Sequence, residues 1–180
     1  FRGLTGDNWS IGEPEETLEK PWLAAVDAFA IGGGCQLLLV VDYVVAEAGA
    51  YCNLPARKEG IIPGAANLRL PRFVGERAAR EGILFDKTFY VDSPEAAGLI
   101  NEVVPHDQLM SRSEEIATRI AEMPPLAVRM MKEFAIRFRD IPVTEAWRVQ
   151  TLVNSLLTQL TTDGDEGRKA FLEKRPARFR

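Results

Sequence analysis

The residue types best suited to chemistry cluster in the stretch Ile31-Gly32-Gly33-Gly34-Cys35-Gln36. An apolar run over 22–29, typical of a strand, precedes it, and a second apolar run follows over 37–41. This order predicts a strand, a tight turn and a short buried helix over 33–41. The free N–H groups at the start of such a helix carry a partial positive charge and can bind an anion. Close packing of the helix against the strand explains the glycines equally well.

Other motif chemistries are excluded by spacing and by residue counts. Neither the G-x-G-x-x-G dinucleotide motif nor a phosphate-binding loop with its Lys fits the glycine run. The chain has one histidine, His106, and two scattered cysteines, Cys35 and Cys52. This set cannot complete a zinc site or a two-histidine iron site. His106 is predicted to be a surface turn residue without triad partners, so we expect no metal site and no triad.

Composition limits the partners and the location. The 180 residues carry a net charge of -4, which argues against a nucleic-acid or anionic-membrane partner. No apolar run reaches the ~18 residues of a membrane span. Two cysteines form no disulfide framework and fit a reducing compartment, so we expect a cytoplasmic protein. The chain begins at Phe1 in polar sequence, and we interpret it as a piece of a longer protein.

Periodicity and turn residues predict the fold class α/β, with an α/β front half over 1–105 and an all-helical region over 106–180. The predicted strands are 22–29, 43–48, 51–52 and 101–104. The predicted helices are 33–41, 65–70, 76–85, 93–98, 107–122, 125–138, 143–160 and 163–173. Pro71 is expected to end one helix, and Asp163 with Glu166 to form a capping box. The segment 53–64 is predicted to be an irregular loop of the kind that carries sites.

Four ordered stretches, 20–35, 60–64, 97–104 and 165–175, resemble the crotonase superfamily, which is the enoyl-CoA hydratase/isomerase family. The resemblance implies a crotonase-like spiral of ββα turns, of which residues 1–105 are the C-terminal part. It implies that residues 106–180 are a helical trimerisation region, giving a homotrimer or a dimer of trimers. It also implies an acyl-CoA thioester substrate.

In that family, two backbone N–H groups form an oxyanion hole that holds the thioester oxygen while the substrate becomes an enolate. By position, the resemblance makes Gly33 one of the two donors. The other comes from a loop upstream of the glycine motif, so we expect a missing N-terminal segment of the same protein to be a partner. Losing one such donor typically costs ~10²–10³ in rate.

The sequence departs from the hydratases of the family at two positions. Hydratases carry a Glu pair that acts on water as general acid and base, and the matching residues here are Gln36 and Ala56. Neither can exchange a proton at neutral pH, so water addition by the family mechanism is not expected. Glu59 is the remaining nearby carboxylate. A surface loop charge beside Lys58 is the favoured interpretation of it, and a single catalytic base is the alternative.

The combined motifs most resemble a branch of the family, the cofactor-independent dihydroxyphenylacetyl-CoA dioxygenases. The resemblance implies molecular oxygen as co-substrate, coenzyme A as part of the substrate, and no cofactor. Replacing the Glu pair would leave a drier, apolar pocket for the substrate and oxygen. Its expected lining is Ile31, Leu54, Ala56, Ile61, Ile62 and Gly64. Gln36 is expected either to hydrogen-bond the substrate or to be a capped first-turn side chain.

The basic C-terminus gains a meaning from the same resemblance. The resemblance implies that Lys174 and Arg175 bind CoA phosphates, because flexible cations suit such contacts. A solvated helix face is the alternative for each of them. For the whole chain, the alternatives to an oxygenase are an isomerase, a hydratase-like enzyme, a thioester hydrolase, or a non-catalytic acyl-CoA-binding protein.

Overall fold

The computed structural model describes residues 20–179. Residues 22–116 form one compact unit, and residues 20–21 together with 117–179 form the other.

The first unit contains two small sheets of three strands each. Its strands are β1 (Leu23–Val26), β2 (Phe29–Ile31), β3 (Tyr43–Glu47), β4 (Tyr51–Asn53), β5 (Phe89–Tyr90) and β6 (Glu102–Val104). One sheet has the order β1-β3-β6 and is parallel throughout. The other has the order β2-β4-β5, in which β2 and β4 are parallel and β5 is antiparallel. The first four strands therefore alternate between the two sheets, while β4 and β5 are neighbours in one sheet.

Helical segments follow β2, β4 and β5, because parallel neighbours cannot be joined by a tight hairpin. The α-helices of this unit are α1 (Gly33–Leu38), α2 (Ala66–Val74) and α3 (Glu76–Phe85). Short 3-10 helices cover Pro55–Glu59, Pro94–Ala96 and His106–Gln108. The largest fully buried side chains come from different elements and include Leu39, Leu54, Leu70 and Phe89. They belong to one hydrophobic core, which fixes α1 and the loop after β4 against the sheets.

The second unit is helical. Helix α4 (Leu109–Ala121) leads into it, and α5 (Pro125–Arg137), α6 (Val143–Leu160) and α7 (Asp163–Glu173) follow. Helix α6 exposes a set of large apolar side chains, Val143, Trp147, Val149, Leu152, Leu156 and Leu160. None of the described helices is both long and apolar enough to cross a membrane.

The single strand predicted over 22–29 is wrong. Ala28 has a φ of 60°, which breaks the extended chain and sends β1 and β2 into different sheets. The helix predicted over 33–41 ends at Leu38. Strand β5 was not predicted, because its two residues are defined by pairing with β4 rather than by a pattern of their own.

Two predicted helix signals are also wrong. Pro71 lies inside α2, which continues to Val74. An internal Pro costs about 3 kcal/mol, and the complete burial of Leu70 in the core helps to offset that cost. At the other end of the chain, the residue that caps α7 is Thr162, and no side chain hydrogen-bonds the helix start. Asp163 therefore forms no capping box with Glu166.

Candidate active site

The glycine run is placed at the junction of β2 and α1. Gly32 adopts a φ of 57° and caps α1. Its N–H donates to the Asn53 carbonyl oxygen at 2.9 Å, and its own carbonyl accepts from the Gln36 N–H at 3.0 Å. These two bonds fix the turn between the strand and the helix. The first N–H groups of the helix, beginning with Gly33, have no intrahelical partner and lie at an exposed position.

Close packing does not account for the missing side chain at Gly33. A Cβ built on Gly33 meets no described atom within 4 Å, and one on Gly34 meets only the Ala30 Cβ at 3.8 Å, an ordinary contact. Gly32 needs its glycine for a different reason, which is the positive φ. Among the described residues, the space that a Gly33 side chain would occupy at the helix start is therefore open.

Gln36 brings the glycine run together with the later loop. Its side chain lies against Gly64, where a Cβ would come 2.6 Å from the Gln36 Oε1. Gly64 also has a φ of 47°, so both the lack of space for a Cβ and the positive φ favour glycine there. The Gln36 side-chain amide makes no hydrogen bond to another residue in the described part of the chain, and no side chain caps α1. Its polar end is available to a ligand.

The loop after β4, which contains the 3-10 helix Pro55–Glu59, is anchored by ion pairs. Lys58 contacts the Asp86 carboxylate, and the Arg57 Nη2 lies 3.9 Å from the same group. The hydrogen bond from Lys58 lowers the pKa of Asp86 below its ordinary value. The Asn53 side chain donates to the Asp86 carbonyl oxygen at 3.4 Å. Asp86 thus ties the 3-10 helix Pro55–Glu59 to the end of α3.

This anchoring leaves Glu59 without a cationic partner in the described part of the chain. Lys58, its neighbour in sequence, contacts Asp86 instead, and Glu59 is exposed with no ion pair among residues 20–179. An exposed carboxylate in this state is available either to solvent or to a ligand.

The expected pocket residues divide into two groups by exposure. Leu54 is 1% exposed and Ala56 is 8% exposed, and Leu54 packs in the hydrophobic core. Ile61 and Ile62 are 60% and 75% exposed, and Ile31 is 39% exposed. The two buried residues support the loop, while the three isoleucines present apolar surface at positions that a ligand or another segment can cover.

His106 has closer partners than its prediction as an isolated turn residue allowed. It is exposed, as predicted, but its Nδ1 contacts the Glu47 carboxylate and lies 3.6 Å from Asp27 Oδ1. Asp27, Glu47 and His106 form a group whose potential metal ligand atoms lie within 4.8 Å of one another. Glu47 is already engaged, because its Oε1 accepts from the Ala28 N–H at 2.7 Å. In this arrangement Glu47 is hydrogen-bonded both to the Ala28 N–H and to His106.

The two cysteines are not scattered. Cys35 in α1 and Cys52 in β4 are both fully buried free thiols in the same core. A hydrogen bond with Cys52, together with burial, raises the pKa of the Cys35 thiol. A buried protonated thiol is a poor nucleophile, so Cys35 serves packing beneath the glycine turn.

In the second unit, Arg175 is held by acidic partners. Its guanidinium donates to both carboxylate oxygens of Glu166, at 2.6 and 2.9 Å, and to Glu173 at 2.6 Å. The hydrogen bond from Arg175 lowers the pKa of Glu166 to about 2. Lys174 ends α7 with a φ of 52° and is exposed, with no ion pair to another described residue. Of the two predicted phosphate ligands, Lys174 is the one with an unengaged charge.

Comparison with known proteins identifies the family. The model of the enoyl-CoA hydratase/isomerase family matches residues 15–180. The chain belongs to this family. The resemblance found in the sequence motifs is therefore confirmed.

Individual relatives of this chain differ in the activity that their names state. It is 47% identical to a (3,5-dihydroxyphenyl)acetyl-CoA 1,2-dioxygenase from Amycolatopsis orientalis, over 76% of this chain and 34% of the relative. It is 36% identical to a crotonyl-CoA hydratase from Syntrophomonas wolfei, over 91% of this chain and 63% of the relative. The chain thus spans about a third of the first relative and less than two thirds of the second.

Solved structures of the family share the fold. An enoyl-CoA hydratase/isomerase from Mycobacterium abscessus has a TM-score of 0.85 and 33% identity, covering 91% of this chain and 68% of that structure. An enoyl-CoA hydratase from Bacillus anthracis has a TM-score of 0.85 and 32% identity, covering 91% of this chain and 63% of that one. The α/β crotonase fold expected from the sequence is confirmed.

Proposed function

We propose that this chain is part of an acyl-CoA-processing enzyme that stabilises a thioester enolate with the Gly33 N–H. The open space beside Gly33 carries the proposal, because glycine there is not required by packing within the described residues. The carbonyl oxygen of a thioester gains negative charge when its α-proton is removed. A preorganised N–H at a helix start stabilises that charge in the way an oxyanion hole does.

We further propose that the enolate reacts with molecular oxygen, as in a cofactor-independent oxygenase of an arylacetyl-CoA. The 47% identity to the (3,5-dihydroxyphenyl)acetyl-CoA 1,2-dioxygenase supports this choice. The electron-rich ring of a dihydroxyphenylacetyl thioester makes its enolate a good reductant of oxygen. Exposed Ile31, Ile61 and Ile62 suit an apolar co-substrate, and the unengaged amide of Gln36 suits a polar group of the substrate.

An isomerase, hydratase-like enzyme or thioester hydrolase is the second candidate. It is supported by the hydratase relatives and by Glu59, whose carboxylate is exposed and unpaired among the described residues. The residues at the hydratase Glu positions, Gln36 and Ala56, count against water addition. A non-catalytic acyl-CoA-binding role is the third, and the open Gly33 N–H counts against it.

The remaining assignments extend this proposal. We propose that Lys174, and Arg175 if it leaves Glu166, contact CoA phosphates, and that an upstream segment supplies the second oxyanion donor. We propose that residues 1–105 complete a spiral core with that segment and that residues 106–180 form an oligomer interface. The exposed apolar side chains of α6, such as Trp147 at 64%, support an interface of a trimer or a dimer of trimers.

Oxygen uptake tests the proposed function. The complete protein that contains this chain, purified without added metal, is given dihydroxyphenylacetyl-CoA, with phenylacetyl-CoA and crotonyl-CoA as controls. Uptake confined to the dihydroxylated thioester and resistant to chelators is the expected result. No uptake with that thioester would remove the oxygenase assignment, and hydration of crotonyl-CoA would favour the second candidate.

A further inference from the structure

The turn between β1 and β2 is strained and needs an external support. Phe29 donates its N–H to the Asp27 carbonyl oxygen at 2.7 Å, closing a three-residue γ-turn around Ala28. Ala28 has a φ of 60°, in a region that costs a non-glycine residue about 1–2 kcal/mol. The γ-turn with a positive central φ is the rare and strained form. Such a conformation persists only where surrounding contacts hold it.

Glu47 supplies the main support. Its Oε1 accepts the Ala28 N–H at 2.7 Å, and its other carboxylate oxygen contacts His106 Nδ1. The Glu47 side chain is 13% exposed, while the side chain of His106 is 73% exposed. Glu47 therefore lies beneath the turn, and His106 covers it from the solvent side.

The sheet topology explains why these residues meet. Asp27 follows the carboxyl end of β1, Glu47 ends β3, and His106 lies shortly after β6. The three strands are parallel neighbours in one sheet, with Val26 opposite Ala46 and Glu47 opposite Val104. Their carboxyl ends therefore share one edge. Residues far apart in sequence are thus brought to the turn that starts β2.

Strand β2 connects this turn directly to the glycine run. It has three residues and is paired along its length with β4, and Gly32 continues the pairing through its bond to Asn53. The Tyr51 N–H also donates to the Ala28 carbonyl oxygen at 3.2 Å. A displacement of Ala28 is therefore transmitted to Gly33, because the paired strand β2 between them contains no flexible segment that could absorb it. A misplacement of about 1 Å in a reacting geometry can cost ~10² in rate.

We propose that Glu47 and His106 are positioning residues that hold the β1–β2 turn and, through β2, the Gly33 N–H. This inference rests on the proposed role of Gly33 as an oxyanion donor. Neither side chain touches the substrate in this account. Glu47 holds the Ala28 N–H, and His106 holds the Glu47 carboxylate in the orientation that the turn requires.

The test compares Glu47→Ala, His106→Ala and Glu47→Gln with the control Glu102→Ala, in the complete protein. Glu102 is a partly buried carboxylate on β6, in the same sheet as β3. It accepts hydrogen bonds from Arg112 at 2.7 Å and from the Tyr43 hydroxyl at 3.5 Å. Its loss removes a comparable ion pair without touching Ala28. Glu47→Gln keeps an oxygen that can accept the Ala28 N–H, so it serves as the conservative rescue variant.

Two readouts separate positioning from general stability. Glu47→Ala is expected to speed hydrogen exchange of the Phe29, Gly32 and Tyr51 amides by about tenfold or more, because these bonds depend on the turn. With dihydroxyphenylacetyl-CoA, it is expected to lower kcat about tenfold or more while KM changes less than about threefold. His106→Ala should give a smaller change of the same kind. Glu47→Gln should lie near the wild type.

The proposal is overturned if Glu47→Ala and Glu102→Ala change the exchange of these amides equally. It is also overturned if exchange is accelerated but kcat stays at the wild-type value. If the wild-type protein turns over no thioester, the proposed function fails separately. The amide exchange data then decide whether Glu47 holds the turn. Unchanged amide exchange in Glu47→Ala would by itself refute the proposed support of the turn by Glu47.

Discussion

Replacing Gly33 with alanine tests whether this glycine is needed for the stability of the fold or for activity. Glycine in a helix is less stable than alanine by ~0.5–1 kcal/mol. A Cβ on Gly33 meets no described atom within 4 Å, and Gly33 is not among the residues with positive φ. Gly33→Ala should therefore leave stability unchanged or raise it by up to about 1 kcal/mol. For a chain of this length that is an increase in Tm of up to ~4 °C.

Activity should change in the opposite direction. If a thioester oxygen approaches the Gly33 N–H, the added methyl group occupies space that the substrate needs. The turnover of dihydroxyphenylacetyl-CoA by Gly33→Ala should fall by ~10²–10³, the usual cost of losing an oxyanion donor. Thermal unfolding and steady-state kinetics on the same preparations measure both effects.

Gly32→Ala is the matched control for this experiment. It places a Cβ in open space too, but at a φ of 57°, so it should lose about 1–2 kcal/mol of stability. If Gly33→Ala is destabilised as much as Gly32→Ala, the glycine is a packing requirement. If Gly33→Ala is stable and retains activity within twofold of the wild type, the oxyanion assignment is refuted.

Three further predictions follow from the structure. Ala28→Gly relieves the strain at φ 60° and should raise stability by about 0.5–1 kcal/mol in thermal unfolding, and a loss of stability would contradict the assigned strain. Glu166 has its pKa lowered to about 2 by the hydrogen bond from Arg175, so its contribution to stability is complete above the ordinary Glu pKa of ~4.3 and is lost as pH falls through about 2. The Tm difference between the wild type and Glu166→Gln should therefore be largest near pH 7 and shrink below ~4, and a difference that is constant with pH would count against the ion pair. Finally, the double variant Gln36→Glu, Ala56→Glu should gain hydration of crotonyl-CoA by ~10²–10⁴ over the wild type, measured by loss of enoyl absorbance, and no gain would show that more than the carboxylates is missing.

The sequence predicts most of the helices because their limits are local. Helices 76–85, 143–160 and 163–173 have the bounds expected from their periodicity and from flanking Gly, Pro and polar residues. The glycine turn and the short helix after it were also predicted, although that helix ends at Leu38. These features depend on residues within a few positions of one another.

The elements that were missed depend on distant residues. Ala28 has no local signal for a positive φ, and the conformation is supported by Glu47, nineteen residues away. Cys35 and Cys52 meet only because β2 and β4 are paired. The contact of His106 with Glu47 requires the parallel order of β3 and β6. Sequence patterns carry little information about such contacts, since each depends on the topology of the whole unit.

The candidate site shows the same division. Gly33 could be selected from the sequence because a glycine run at a helix start is visible there. Gln36 could be selected because, by resemblance, it stands where the hydratases of the family carry a Glu. The contact of Gln36 with Gly64 could not be predicted, nor could the contact of Lys58 with Asp86, which leaves Glu59 unpaired among residues 20–179. Those relations join the ends of separate helices and strands.

The most direct test of the account is whether the protein forms a thioester enolate. The complete protein is incubated with dihydroxyphenylacetyl-CoA in D₂O without oxygen, and NMR follows the exchange of the α-protons. The account predicts exchange well above the rate in buffer, and exchange about 10²-fold slower in Gly33→Ala. Exchange no faster than in buffer, or equal in the wild type and Gly33→Ala, would contradict it.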